Sequence, residues 1–225
     1  MIKFVLLDVD NTLLDFDKCA EASIKSSCQT ANIAFFDNMI PTFHEINNEL
    51  WLGIEKGIIT KSQLHKNRWN LIFQKLGISF DGETFEKYFL DNLAKSAEPV
   101  AGAHDLLEYL YKKYRLFTAS NAFYNQQTSR LTKAGMLKYI EGMFISEKIG
   151  HEKPSKEFFD ESFSQMGNPN KDEVIIIGDS LSADICGGAE YGIKTCWYNP
   201  HNITPDDDCP ADYIVKTLQD IKNIL

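Results

Sequence analysis

At 225 residues, with 44% apolar and 24% charged side chains, the chain has the composition of a globular protein that can bury a substantial core. Its formal net charge of −9 argues against a nucleic-acid polymer as partner, because phosphate backbones are bound by clustered Lys and Arg. No apolar run approaches the roughly 20 residues that span a bilayer, and the N-terminal apolar stretch lacks a basic n-region and is cut by Asp8, so neither a membrane span nor a signal peptide is expected.

The first element, "FVLL", reads as a buried strand, and it ends on two acids, Asp8 and Asp10, with only Val9 between them. Like charges at the end of a buried strand repel, so the pair needs a reason. From about residue 16 to 96 the patterns are helical. Thr60 is a plausible N-cap for a helix through Leu64, Trp69, Ile72, Phe73 and Leu76 that stops at Gly77, and Asp81 starts another containing Phe85, Tyr88, Phe89 and Leu93. Their aromatic stripes read as core packing.

From Pro99 onward helix and strand alternate. A helix near Ala103–Lys113 leads to "RLFTAS", one around Tyr124–Ala134 to "MFIS", and one at Ser155–Met166 to "EVIIIGD". A helix past Ala183 leads to "KTCWYN", and a last short strand, "DYIV", precedes a terminal helix. Such alternation predicts an α/β fold, a doubly wound parallel sheet covered on both faces. The expected organisation is a core domain of residues 1–15 and 97–225, with residues 16–96 inserted as an all-helical domain. The five cysteines, Cys19, Cys28, Cys186, Cys196 and Cys209, are odd in number and include no CxxC pair. Reduced thiols in a cytoplasmic protein are therefore expected.

In open α/β sheets ligands bind outside the carboxyl ends of the strands. The polar residues directly after the apolar runs are Asp8 and Asp10, Ser120 and Asn121, Lys153 in "GHEKPSKEFF", and Asp179 with Asp184 in "GDSLSAD". Any one alone is an ordinary turn or cap residue; together they place carboxylates, an ammonium and a hydroxyl on one rim. Crowded carboxylates share a proton or a cation. With oxygen donors only, the cation expected is Mg²⁺, which usually completes its shell with water and a phosphate oxygen. Lys153 adds positive charge for that phosphate and Ser120 a hydrogen bond. Residues i and i+2 on an extended segment face one side, so one of the two N-terminal acids can be a nucleophile and the other a proton donor and acceptor.

The stretches "DVDNTLLD", "TASN", "KP" after a helix–strand unit and "GDSLSAD" resemble, in order and spacing over the whole chain, the four motifs of the haloacid dehalogenase (HAD) superfamily of phosphohydrolases. The helical insertion looks like its C1-type cap. The resemblance implies Asp8 as nucleophile and Asp10 as general acid/base, with Ser120, Asn121 and Lys153 on the phosphate. It also implies Mg²⁺ on Asp8, the Asp10 backbone carbonyl and Asp179, supported by Asp184. "GDSLSADICGGAEYGIKTCWYNP", "ISEKIGHEKPSKEFFD" and "EKGIITKSQLHKNRW" resemble the YjjG-type branch, whose characterised members are pyrimidine 5′-nucleotidases. The expected partner is therefore a small phosphorylated metabolite, a nucleoside monophosphate first, handled by a monomer or homodimer. One departure is Ala122, where that branch usually has Gly.

Alternatives are distinguishable. A dehalogenase of the same superfamily has no need of an acid at position 10. A phosphosugar phosphatase or mutase would use the same catalytic set. A signalling receiver domain carries its phosphorylated Asp after a later strand and has no cap, and an interaction protein needs no competent acids. His44, Trp51, His65, Arg68 and Trp69 of the insertion are open to two readings, contact with a base or sugar and plain packing.

Overall fold

In the computed structural model, which describes residues 1–204, 209 and 211–225, the expected apolar runs form one parallel sheet of six strands. They are β1 (Phe4–Leu7), β2 (Arg115–Ser120), β3 (Gly142–Ile145), β4 (Val174–Gly178), β5 (Lys194–Tyr198) and β6 (Tyr213–Val215). Between β1 and β2 run α1 (Phe16–Ala31), α2 (Met39–Glu55), α3 (Lys61–Leu76), α4 (Gly82–Leu93) and α5 (Ala103–Tyr111). α6 (Tyr124–Lys133) joins β2 to β3, and α7 (Ser146–Ile149) and α8 (Lys156–Gln165) join β3 to β4. A π-helical turn, Leu181–Cys186, runs into α9 (Gly187–Tyr191) before β5.

The strand order is β3-β2-β1-β4-β5-β6. The chain winds outward one way from β1 and then returns to wind the other way from β4. That reversal leaves a crevice at the carboxyl end of β1, where such sheets bind ligands. Both sheet faces are covered, which is why β1 and β4 are apolar without alternation. Val5, Leu7, Ile175 and Ile177 pack with Leu106 and Leu110 of α5 and Leu131 of α6. Phe4, Leu6 and Ile176, one residue out of phase, pack with Phe158 and Phe163 of α8 and Tyr191 of α9. Among the described residues, no helix is long and apolar enough to cross a membrane.

The described chain divides into two compact units, Met1–Phe16 with Ala97–Leu225, and Asp17–Ser96. The second is helical throughout. Thr60 and Gln63 form a reciprocal capping box at the start of α3, and Gly77 ends it in the left-handed conformation at φ 68°. The Asp81 carboxylate accepts from the Thr84 N–H at the start of α4. Phe43, Trp69, Phe73, Phe85 and Phe89 are buried in this unit, with Trp69 and Phe85 ring centroids 4.3 Å apart. Arg68 is also buried, between Glu86 and Asn47. Arg68 and Trp69 are therefore interior residues of the helical unit.

Two expectations are corrected here. The terminal helix is a 3-10 segment, Leu218–Asn223. Cys186 and Cys209, 23 residues apart, are joined in a disulfide, with Cys209 packed by Ile185 and Trp197. The bond ties Cys209 to the π-helical turn, a juxtaposition that cysteine spacing does not encode. Cys19, Cys28 and Cys196 are buried outside that bond.

Candidate active site

Leu7 pairs with Thr118 of β2 and Ile177 of β4, so Asp8 emerges at the carboxyl edge between two neighbours. Its N–H donates to the Ile177 carbonyl at 2.9 Å. Val9 is fully buried in the core cluster that holds Val5 and Leu7, so the side chain between the two acids turns away from the rim. The chain then closes tightly. Asn11 sits at φ 59°, a left-handed conformation that Asn tolerates. Its Oδ1 accepts from the Phe16 N–H at 2.9 Å, and the Leu13 and Leu14 N–H groups donate to the Val9 carbonyl. This turn holds Asp10 at the mouth of the crevice and Thr12 inside it, where the Thr12 hydroxyl donates to Asp179 Oδ1 at 3.3 Å.

Lys153 arrives on the loop before α8 and is buried. Its Nζ donates to Asp8 Oδ1 at 2.9 Å, Asp184 Oδ1 at 2.5 Å and the Ala119 carbonyl at 2.6 Å, which accounts for every N–H of an ammonium. The Asn121 amide fixes the backbone from which it springs. Its Nδ2 donates to the Lys153 carbonyl at 2.9 Å, and its Oδ1 accepts the Lys153 N–H at 2.8 Å. Ala122 is not among the described residues with positive φ, so its Cβ is accommodated without backbone strain.

Asp179 and Asp184 come from the end of β4 and the π-helical turn. The turn begins with Ser180, whose hydroxyl accepts from the Ala183 N–H at 3.1 Å. That cap brings Asp184 back so that its Oδ2 accepts from the Ser180 N–H at 3.2 Å. The Trp197 indole donates to the Asp179 carbonyl at 2.9 Å. Asp8, Asp179 and Asp184 thereby present carboxylate oxygens within 4.8 Å of one another.

Asp8 and Asp184 are buried and Asp179 is half-buried. Burial lifts the Asp8 carboxyl to about 7 against the opposing pull of Lys153, with Asp184 and Asp10 adding to the rise. Burial, with Asp8 and Asp184 close by, also holds Asp179 well above the usual carboxylate range. For Lys153 burial acts downward, but Asp184 and Asp8 overcome it and its affinity for the proton rises. Three ionised carboxylates and one ammonium carry two net negative charges, and a divalent cation bound by hard oxygen donors would balance them. The donor set thus fits a Mg²⁺-type ion. Asp184 has both oxygens already engaged, whereas Asp8 and Asp179 each keep one oxygen outside these hydrogen bonds.

Asp10 belongs to a second, connected network. Gln127 of α6 donates to Asp10 Oδ2 at 2.6 Å and to the Ser120 hydroxyl at 3.1 Å. Arg130, one helical turn on, forms an ion pair with Asp10 Oδ1. Asp8, Asp10, Ser120, Asn121, Lys153, Asp179 and Asp184 therefore collect at one end of the sheet, with Ser120 tied to Asp10 through Gln127, whereas His44, Trp51, His65, Arg68 and Trp69 belong to the helical unit. Thr12, Gln127, Arg130 and Trp197 are additions. Thr12 carried no periodic signal, because residues 8–14 form a turn and not a helix. For Gln127 and Arg130 the only hint was that "YNQQTSRLTK", a helix covering a sheet, has few apolar residues.

The haloacid dehalogenase-like hydrolase family pattern matches residues 5–198. Over 229 residues the chain is 34% identical to the pyrimidine 5′-nucleotidase PynA of Streptococcus pneumoniae, covering 99% of this chain and 97% of that protein. It is 27% identical to the pyrimidine 5′-nucleotidase YjjG of Escherichia coli, covering 99% and 97%. The structure superimposes with a TM-score of 0.95 on the magnesium-bound HAD-hydrolase YfnB of Bacillus subtilis, which is 29% identical, covering 100% of this chain and 98% of that one.

Proposed function

The chain belongs to the haloacid dehalogenase-like hydrolase family, and from that premise we propose that it is a Mg²⁺-dependent phosphomonoester hydrolase acting on nucleoside 5′-monophosphates, pyrimidine ones first. The observation that carries the reaction is the pairing of Asp8, beside Lys153 at 2.9 Å, with a second acid two residues on whose carboxylate is separately held. A halide departs without a proton; an ester oxygen needs one, and on this reading Asp10 supplies it. The substrate class rests on the relatives named for pyrimidine nucleotides.

Asp8 and Asp179 would hold the metal, with the Asp10 carbonyl, while Asp184 secures Lys153. When bound, Mg²⁺ supplies positive charge to the phosphate oxygens and to the carboxylates around it. Lys153 opposes the rise that burial imposes on Asp8 and adds charge for the phosphate, Ser120 offers its hydroxyl, and Asn121 contributes through its backbone N–H. An Asp8 oxygen attacks phosphorus as the phosphorus–ester oxygen bond breaks, and the departing oxygen takes the proton carried by the Asp10 carboxyl, which leaves Asp10 as the carboxylate paired with Arg130. A water oxygen then bonds to phosphorus as the bond to Asp8 breaks, its proton passing to Asp10. Phosphate and a free Asp8 carboxylate result. On the same reading the helical unit Asp17–Ser96 has the role of a cap, which excludes water from the reaction.

The test is phosphate release from a panel of nucleotides and sugar phosphates, with and without Mg²⁺, beside Asp8→Asn. Activity that survives metal removal or Asp8→Asn overturns the mechanism. Sugar phosphates far ahead of pyrimidine nucleotides, or isomerisation of a sugar phosphate, would leave the mechanism and remove the substrate.

A further inference from the structure

Gln127 and Arg130 stand three residues apart on α6, hence on one helix face, and both are fully buried. A face that covers a parallel sheet normally carries leucines, and a buried guanidinium is costly unless it meets a carboxylate. Here it meets Asp10, whose side chain is 29% exposed and would otherwise be free to change rotamer at the mouth of the crevice. Arg130 Nη1 takes Asp10 Oδ1 and also donates to Gln127 Oε1 at 3.1 Å; Gln127 Nε2 takes Asp10 Oδ2 at 2.6 Å. Each carboxylate oxygen has one donor, out of roughly four acceptor positions on an ionised carboxylate, so each keeps a lone pair for a proton in transit. The same Gln127 Nε2 lies 3.1 Å from the Ser120 hydroxyl.

We propose that Gln127 and Arg130 are the positioning pair for the Asp10 carboxylate, and that Gln127 sets it in register with Ser120, so that the proton-transfer group and the phosphate-facing hydroxyl are oriented as a unit. The inference rests on the phosphomonoesterase reading. It predicts a defect confined to steps in which Asp10 moves a proton. Departure of p-nitrophenolate needs no proton, whereas departure of a nucleoside alkoxide does, and hydrolysis of the aspartyl-phosphate needs a base with either ester.

The experiment compares wild type, Asp10→Asn, Gln127→Met and Arg130→Lys with uridine 5′-monophosphate and p-nitrophenyl phosphate. Met keeps the length of Gln without its donor, and Lys keeps the charge of Arg without its fork. Thermal melts select variants that fold. In both positioning variants kcat for the nucleotide is expected to fall about 10- to 100-fold, part of the usual general acid–base contribution, with KM within about twofold. The pre-steady-state burst of p-nitrophenolate should stay within about threefold of wild type, a split that Asp10→Asn should share in stronger form. A folded variant that slows the burst and the nucleotide reaction equally, or leaves both unchanged, overturns the positioning role. Wild type that releases phosphate from neither ester overturns the hydrolase reading itself, a different result from an active wild type with unaffected variants.

Discussion

A Cβ built on Gly178 would lie 2.1 Å from Asp184 Oδ2, well inside van der Waals contact. The last residue of β4 is therefore glycine because the carboxylate that grips Lys153 passes directly over it. Ala at this position must push Asp184 away from Lys153, now 2.5 Å distant. We expect Gly178→Ala to cost about 1–3 kcal/mol of stability, as overpacking does, and to lower kcat about 100-fold through misplacement of Lys153 and Asp8. Unfolding curves and steady-state kinetics measure both, and wild-type values in both would contradict the assignment.

Metal and pH act on the same acids in opposite senses. In metal-free protein Asp8 holds its proton up to about 7 and Asp179 to well above the usual range, whereas unfolded carboxylates release theirs near about 3.9. The folded state thus binds more protons across that window, and stability must fall as pH rises from the unfolded value through about 7. A bound divalent cation replaces those protons. At about one hundred times its Kd, Mg²⁺ should add about 2.7 kcal/mol, or about 5–10 °C in Tm. The gain should be larger at about pH 8 than at about pH 5.5. Melting curves with and without Mg²⁺ at the two pH values test this, and a gain independent of pH would argue against ligation by the buried acids.

The helical unit should show the reverse dependence. Burial acts to raise the Glu86 carboxyl, but Arg68 and His65 overcome it and hold it below the usual carboxylate range. Arg68 Nη2 lies 2.5 Å and His65 Nδ1 2.6 Å from Glu86 Oε1. With a depressed folded pKa, this carboxylate contributes stability above the unfolded value of about 4.3, lost as pH falls through the folded one. Glu86→Gln should cost about 3 kcal/mol at neutral pH, because it strands the buried Arg68, and the gap to wild type should shrink in acid. Urea titrations at neutral and acid pH would reveal a constant gap if the pair were irrelevant.

The Cys186–Cys209 bond closes a loop between residues 23 apart. A cross-link of that span restricts the unfolded chain by about 3 kcal/mol. Reductant, or Cys209→Ser, should lower the denaturation midpoint accordingly, and the variant should then be insensitive to reductant. Equal midpoints with and without reductant in the wild-type protein would show that the link contributes nothing.

The six strands, the caps at Thr60 and Asp81, and the gathering of Asp8, Asp10, Ser120, Lys153, Asp179 and Asp184 at one edge were legible in the sequence because each is a local signal. An apolar run of strand length, a polar residue directly after it and a capping residue three positions from its partner all act within a few residues. What only the tertiary structure decided were the pairings. Gln127 and Arg130 meet Asp10 from 117 and 120 residues away, Asp184 rather than solvent receives Lys153, and Cys209 finds Cys186. Burial pattern states that a side chain faces inward, but any buried cation can be matched by any carboxylate the fold brings near. The two acids after β1 were legible as a pair on one rim; which groups hold each in place depended on where the helices lie against the sheet.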